Sequence, residues 1–254
     1  MFSLRRPPPV FGSGLLDAVH EQSIQALADP EDRDGDGISG RPNIVWNIRE
    51  RKQTIGKFGL KASAPTALQQ VAGAYATDMG VTNSLLPRGN KNPELDSSTL
   101  DRTSFYVQTL AVPSPRNQDD PTVIRGREIF REIGCGKCHA ETLQTGDHQI
   151  PELSNQLIHP FTDLLLHDMG SELADGRPEF QASGNEWRTA PLWGIGLVPI
   201  VIGDAEVSYL HDGRARTLEE AVLWHGGEGL AARNTFAALT LADRDALIQF
   251  LRSL

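Results

Sequence analysis

The chain has 254 residues, of which 39% are apolar and 22% charged, with a formal net charge of −9. This is the balance of an ordinary globule with one large or two moderate domains, and it argues against nucleic acid and anionic membrane surfaces as partners. Nowhere is there an uninterrupted apolar run of roughly 18 residues, so the sequence offers no transmembrane helix.

Taken in chain order, residues 1–19 lack the apolar core of a signal peptide and carry three prolines at 7–9. From residue 32 the sequence reads Asp-Arg-Asp-Gly-Asp-Gly, which sets Asp32, Asp34 and Asp36 at alternate positions ahead of Gly37. The opening of an EF-hand loop gathers oxygen ligands for calcium in this way. Asn43 stands at the twelfth position, where such a loop has glutamate, so a noncanonical calcium loop and a solvated Asp/Gly turn both remain open. The proline-rich stretch at 112–121 reads as a linker and divides the chain into residues 1–115 and 116–254.

After the linker, Val123, Ile124, Phe130 and Ile133 recur mostly at three- and four-residue steps around Gly126, which predicts a helix over 122–133. It delivers the chain to Cys135-Gly-Lys-Cys138-His139, a pentad that holds both cysteines of the protein. Such a pentad is the attachment signal for a c-type haem. The two thiols form thioethers to the porphyrin, and His139 becomes the proximal iron ligand. A redox dithiol or half of a four-cysteine zinc site would use the same spacing. Neither a second cysteine pair nor a βαβ pattern accompanies it here.

Downstream, Leu164, Leu165 and Leu166 suggest a helix ending near His167, with Met169 placed to swing a thioether onto iron and His167 as a further candidate. Arg188, Arg214 and Arg216 are candidates for pairing with haem propionates, a task guanidinium groups suit. Trp187, Trp193 and Trp224 could line the haem or serve packing alone, and His211 could hold a loop or a propionate. A helix over 217–225 opens with Thr217 and Glu220 in capping-box relation. His225 falls in phase with its apolar stripe of Leu218, Ala221 and Val222. That phase makes His225 either a sixth iron ligand or a core histidine bonded to a carbonyl. Gly226 and Gly227 would allow backbone to approach a porphyrin closely. A last helix runs from about 241 to the end, opening with Thr240 and Asp243.

Several blocks together carry a family resemblance: PPPVFGSGLLDAV at 7–19, ADPEDRDGDGISGRPNIVW at 28–46, GKFGLKA at 56–62, QQVAGAYATDMG at 69–80, then GCGKCHA, IHPFTDLLLHDMG, EWRTAPLWGIG and YLHDGRARTLEEAVLWHGG at 209–227. The chain resembles bacterial di-haem oxidoreductases of the peroxidase type, also called thiol oxidoreductases and distantly similar to di-haem cytochrome c peroxidases. The resemblance implies a mainly α fold: a cytochrome c-like haem domain with long loops, preceded by a partial second cytochrome c-like domain, with calcium between the two. It makes Cys135, Cys138 and His139 the C-terminal haem site. It also places His225 where related peroxidases carry the distal methionine of the electron-transfer haem.

Members of the family normally carry another CxxCH upstream of the PPPVFG-like stretch. This chain is therefore expected to be either a truncated product or a protein that has lost one haem, keeping one covalent haem c. The function implied is electron relay, between a partner such as a small cytochrome or cupredoxin and a peroxidatic haem. The alternative is a mono-haem carrier. Haem attachment of this kind further implies a periplasmic location for the full-length product.

Overall fold

Glycine and proline interrupt every periodic run before residue 60, so the first elements are short. The computed structural model describes residues 3–89, 92–203 and 207–254. Helices α1 (Ser13–Asp17) and α2 (Glu21–Gln25) precede an antiparallel pair, β1 (Ile44–Asn47) and β2 (Lys52–Ile55), with Ile44 opposite Ile55. Helix α3 (Ala67–Gly73) starts where the Thr66 side chain accepts from Gln69 N, and it continues into a π-helical turn at Ala74–Asp78. Helix α4 (Ser97–Gln108) is capped in the same manner by Asp96, and Leu68, Val71, Ala72 and Leu100 fill the small core between α3 and α4.

Helix α5 (Pro121–Glu132) has proline at its first position, where no N–H is needed, and Asp120 accepts from Thr122 N at 2.7 Å. It buries Val123, Gly126, Ile129 and Phe130. Two further antiparallel pairs follow: β3 (Leu143–Gln144) with β4 (Leu157–Ile158), and β5 (Leu166–Asp168) with β6 (Glu186–Arg188). The chain closes with α6 (Val198–Ile202), α7 (Leu218–Leu223), α8 (Leu230–Ala238) and α9 (Leu241–Ser253). Helices dominate the regular structure, yet the three strand pairs make the fold mixed rather than purely helical.

Three sequence expectations change. The leucine run at 164–166 is not helical: Leu164 sits at φ 63° and Leu166 enters β5, with all three leucines fully buried. A short apolar run buried on all sides carries no periodicity that separates helix from strand. The helix expected over 217–225 ends at Leu223, so His225 lies just beyond it. Helix α8 was not anticipated from the sequence.

The main core lies where α5 crosses α9. A Cβ added at Gly126 would come within 2.0 Å of the Ala246 carbonyl oxygen, so glycine is what permits the close crossing. Phe130, Phe161 and Phe250 meet beneath it in edge-on arrangements, with ring centroids 5.4–6.0 Å apart. A second core joins Leu16, Val19, Ile24, Ile55 and Phe58 to Leu143, Ile158, Leu164, Leu165 and Trp193, drawn from both sides of position 115. Around it the chain buries three cations. Lys57 donates to the carbonyls of Asp17 and Val19, Lys61 to those of Ser183 and Glu186, and Arg188 to those of Gly59 and Thr189. Carbonyl oxygens held in place by the loops replace the water these charges lose.

Candidate haem site

Helix α5 stops at Ile133 because Gly134 takes φ 90°, and the next three residues form a single 3-10 turn, Cys135–Lys137. The turn folds back so that His139 N donates to the Cys135 carbonyl at 2.9 Å. Both cysteines are unpaired and half-buried. Burial, reinforced by Cys138, pushes the Cys135 thiol up to about 12, and burial also raises Cys138. Two unpaired thiols at this spacing are what thioether attachment of a haem would use.

The His139 imidazole is oriented by the backbone. Its Nδ1 lies 2.9 Å from the Phe161 carbonyl, a contact that requires the proton on Nδ1 and leaves the Nε2 lone pair free for a metal. Phe161 presents that carbonyl from φ 54°, an uncommon conformation for a bulky residue. It is held there by the aromatic core and by Thr162 N, which donates to the Ala140 carbonyl. Burial, with a contribution from nearby His225, lowers the pKa of His139 to about 4, so its ring is neutral at neutral pH. A neutral imidazole with one free nitrogen is the form that ligates iron.

His225 is prepared in the same manner. Its Nδ1 lies 2.8 Å from the Ala221 carbonyl one turn back, again leaving Nε2 unengaged, and burial lowers its pKa. Met169 is close by: a Cβ added at Gly229 would touch both the His225 Cβ, at 3.1 Å, and the Met169 methyl, at 3.2 Å. The structure thus brings His139, His225 and Met169 into one neighbourhood. At Gly227 a Cβ would lie 2.1 Å from the Asp168 carbonyl oxygen, and at Gly226 one would lie 2.9 Å from that of Met169. These two glycines let the His225 segment pack on the backbone that carries Met169.

His167 has another role. Its Nε2 is 2.8 Å from Asp163 and its Nδ1 is 2.7 Å from Glu228, so both ring nitrogens face carboxylates. Burial opposes the charge, but hydrogen bonds with Asp163, Cys138 and Glu228 outweigh it and raise the pKa of His167 to about 12. An imidazolium with two carboxylate acceptors has no lone pair for iron. Glu228 also accepts from Ser39 N and Oγ and from Asp168 N, which ties the acidic loop to the haem side of the fold. No spacing in the sequence marked Asp163 or Glu228, because their link to His167 is made only by tertiary packing.

Asp32, Asp34 and Asp36 can each offer an oxygen within 4.8 Å of the others. Gly37 N and Ile38 N donate to Asp32 and Asp36, and Gly35 and Gly37 take positive φ, which curls the loop around these carboxylates. Lys137, inside the pentad, pairs with Asp36 at 2.9 Å, so the acidic loop lies against the Cys135–His139 turn.

The remaining candidates separate. Arg214 lies over the Trp224 ring at 4.8 Å and is paired with Asp212 at 2.7 Å. Arg216 is exposed and borders a cleft that contains none of the haem donors. Arg188 is buried and donates to the carbonyls of Gly59 and Thr189. Trp187 donates to the Leu173 carbonyl and stacks on His211 with ring centroids 3.6 Å apart, and Lys61 Nζ lies 4.0 Å from the Trp187 ring centroid. Trp193 packs against Gly12, and Met79 is 65% exposed.

Paired cysteines followed by a histidine whose Nδ1 is bound to a backbone carbonyl form the arrangement a c-type haem would use. A family model described as "Di-haem oxidoreductase, putative peroxidase" matches residues 1–92 and 89–254, and the chain belongs to that family. Among solved structures, the chain is similar to Kuenenia stuttgartiensis hydrazine synthase pressurised with xenon, at 17% identity and a TM-score of 0.49, over 100% of this chain and 95% of that one. No curated protein matches it. Among the described residues, no helix is long and apolar enough to cross a membrane.

Proposed function

We propose that residues 116–254 form a c-type haem unit that relays electrons in a di-haem peroxidase-like oxidoreductase. Cys135 and Cys138 would hold the porphyrin as thioethers, and His139 and His225 would ligate the iron, with Met169 as the alternative to His225. The haem supplies one-electron redox chemistry at iron. The protein fixes the two imidazole tautomers through the Phe161 and Ala221 carbonyls and keeps both rings neutral by burial. Arg214 is the propionate partner, held in place by Asp212 and Trp224. Arg216 lies outside this group, in the cleft at the start of α7. Asp32, Asp34 and Asp36 would hold calcium, and the Lys137–Asp36 pair supports a site for it near the Cys135–His139 turn. The electron partner is a small cytochrome or cupredoxin, and the compartment is periplasmic.

One observation carries the reading: a neutral His139, directly after two unactivated cysteines, with Nδ1 bound to Phe161 and Nε2 free. Two histidines on one iron would leave no open position for peroxide, so this haem suits relay rather than peroxide cleavage. The same point supports a second reading, a mono-haem cytochrome acting only as a carrier. Pyridine haemochrome and iron analysis on protein matured in a c-haem-competent periplasm should give one haem per chain, and His225→Met should raise the reduction potential. Absence of covalent haem would sink the proposal. Reversible reduction without peroxide turnover, in every form of the gene product, would select the carrier.

A further inference from the structure

A cleft of about 720 Å³ opens at the end of α5 remote from the haem turn. Helix α5 has 12 residues, so its rise of about 18 Å separates the cleft from the start of the pentad. The cleft is bordered by Arg116, Arg216 and Arg252, which come from the linker, the segment before α7 and the last turn of α9. Among the described residues, none of these three guanidinium groups is in a salt bridge. Two carboxylates share the lining, and one of them, Asp120, is occupied as the N-cap of α5. The cleft is thus a local positive surface on a chain whose net charge is −9.

Tyr209 gives an independent pointer. It lines the cleft and is 7% exposed, yet its hydroxyl has no hydrogen-bond partner among the described residues. That hydroxyl is not sealed in the core, since it is absent from the fully enclosed unsatisfied side-chain atoms, Thr54 Oγ1, Gln108 Oε1 and Arg244 Nε. Burial raises its pKa, with Arg252 among the charges opposing the rise, so the phenol stays a donor beside a guanidinium. The Arg116 guanidinium donates to the Arg252 carbonyl, which fixes one arginine against the segment that carries another.

Guanidinium groups and a neutral phenol are donors, and planar guanidinium matches the geometry of carboxylate and phosphate oxygens. The volume is in the range of small-molecule sites, which bury more than a single tetrahedral ion. We propose that this cleft binds a small oxyanion bearing two or more acid groups, gripped by Arg116, Arg216 and Arg252 with the Tyr209 hydroxyl as a further donor. Phosphate esters and polycarboxylates share this chemistry. The site is independent of the haem reading, because it contains none of the haem donors.

Calorimetric titration of the full haem-loaded chain with inorganic pyrophosphate and, separately, with citrate tests it. At least one probe should bind with 1:1 stoichiometry and weaken as salt rises, and the tighter of the two identifies the acid class. Arg216→Gln and Arg252→Gln should each weaken binding roughly tenfold and Tyr209→Phe about threefold, in line with the loss of one charge-assisted or one neutral hydrogen bond. Melting temperature and the haem spectrum should stay unchanged in Arg216→Gln and Tyr209→Phe. No binding of either probe at about 5 mM, or equal binding by wild type and the Arg216→Gln/Arg252→Gln double variant, overturns the proposal.

Discussion

Among the described residues, the two larger cores are closed by different physics. Around α5 and α9, closure is apolar: a glycine lets two helices touch, and three phenylalanines fill the space beneath. Around β5 and β6, closure depends on buried Lys57, Lys61 and Arg188, whose charges are met by backbone carbonyls of distant loops. An apolar contact tolerates small shifts, whereas a buried cation is stable only while all its acceptors stay in place. The first core suits a helical frame for a flat cofactor, and the second locks long loops into one arrangement.

The largest expected effect lies at the proposed haem site, beside the apolar core. Replacing Cys135 and Cys138 together with alanine should abolish covalent haem entirely, read as loss of haem stain on a denaturing gel. Next comes Lys61→Met in the cation-held core. It removes the ammonium that donates to the Ser183 and Glu186 carbonyls and weakens the charge balance around Asp175, which lies 3.3 Å from Lys61, so a loss of about 3–5 kcal/mol is expected in denaturant titration. Gly126→Ala, at the helix crossing, should cost about 1–3 kcal/mol by overpacking. If Lys61→Met proved milder than Gly126→Ala, the contrast between the cores would fail.

Within the region around β5 and β6, two histidines should answer pH with opposite sign. Burial lowers His211, stacked on Trp187, from 6.5 to about 4. As pH falls from 6.5 towards 4, the unfolded chain binds a proton that the folded chain refuses, and stability declines. Asp175 adds to this: the Arg5 guanidinium outweighs burial and holds its carboxyl below the usual range, so its stabilisation is lost as pH falls. His167 behaves in reverse. Its pKa is raised, so its contribution is complete below 6.5 and is lost as pH rises from there towards 12. Melting curves should show His211→Gln flattening the acid side and His167→Gln flattening the alkaline side. The smallest effect belongs to Asp36→Asn, which removes a partly exposed pair with Lys137 and should shift stability by less than about 1 kcal/mol.

Much of the haem site was legible in the sequence because its signals are local. The pentad, the proline start of α5 and the Thr217 and Thr240 caps all act within four residues, and each cap accepts the expected N–H. The leucine run at 164–166 misled because neither periodicity nor length distinguished its strand from a helix. The partners of His167 were hidden for another reason: Glu228 is 61 residues away, with no shared pattern to announce the contact.

By itself the sequence determined the family, through its blocks of shared residues, and the helices α5, α7 and α9, whose caps act through hydrogen bonds within a turn. Only the tertiary structure decided which nitrogen of His139 is free, which cations are buried and which three arginines border one cleft. The Phe161 carbonyl that orients His139 is 22 residues away, and the Ser183 carbonyl that receives Lys61 is 122 away. Such contacts reflect how loops close on one another, and loop closure depends on the whole packed chain rather than on any local run of residues.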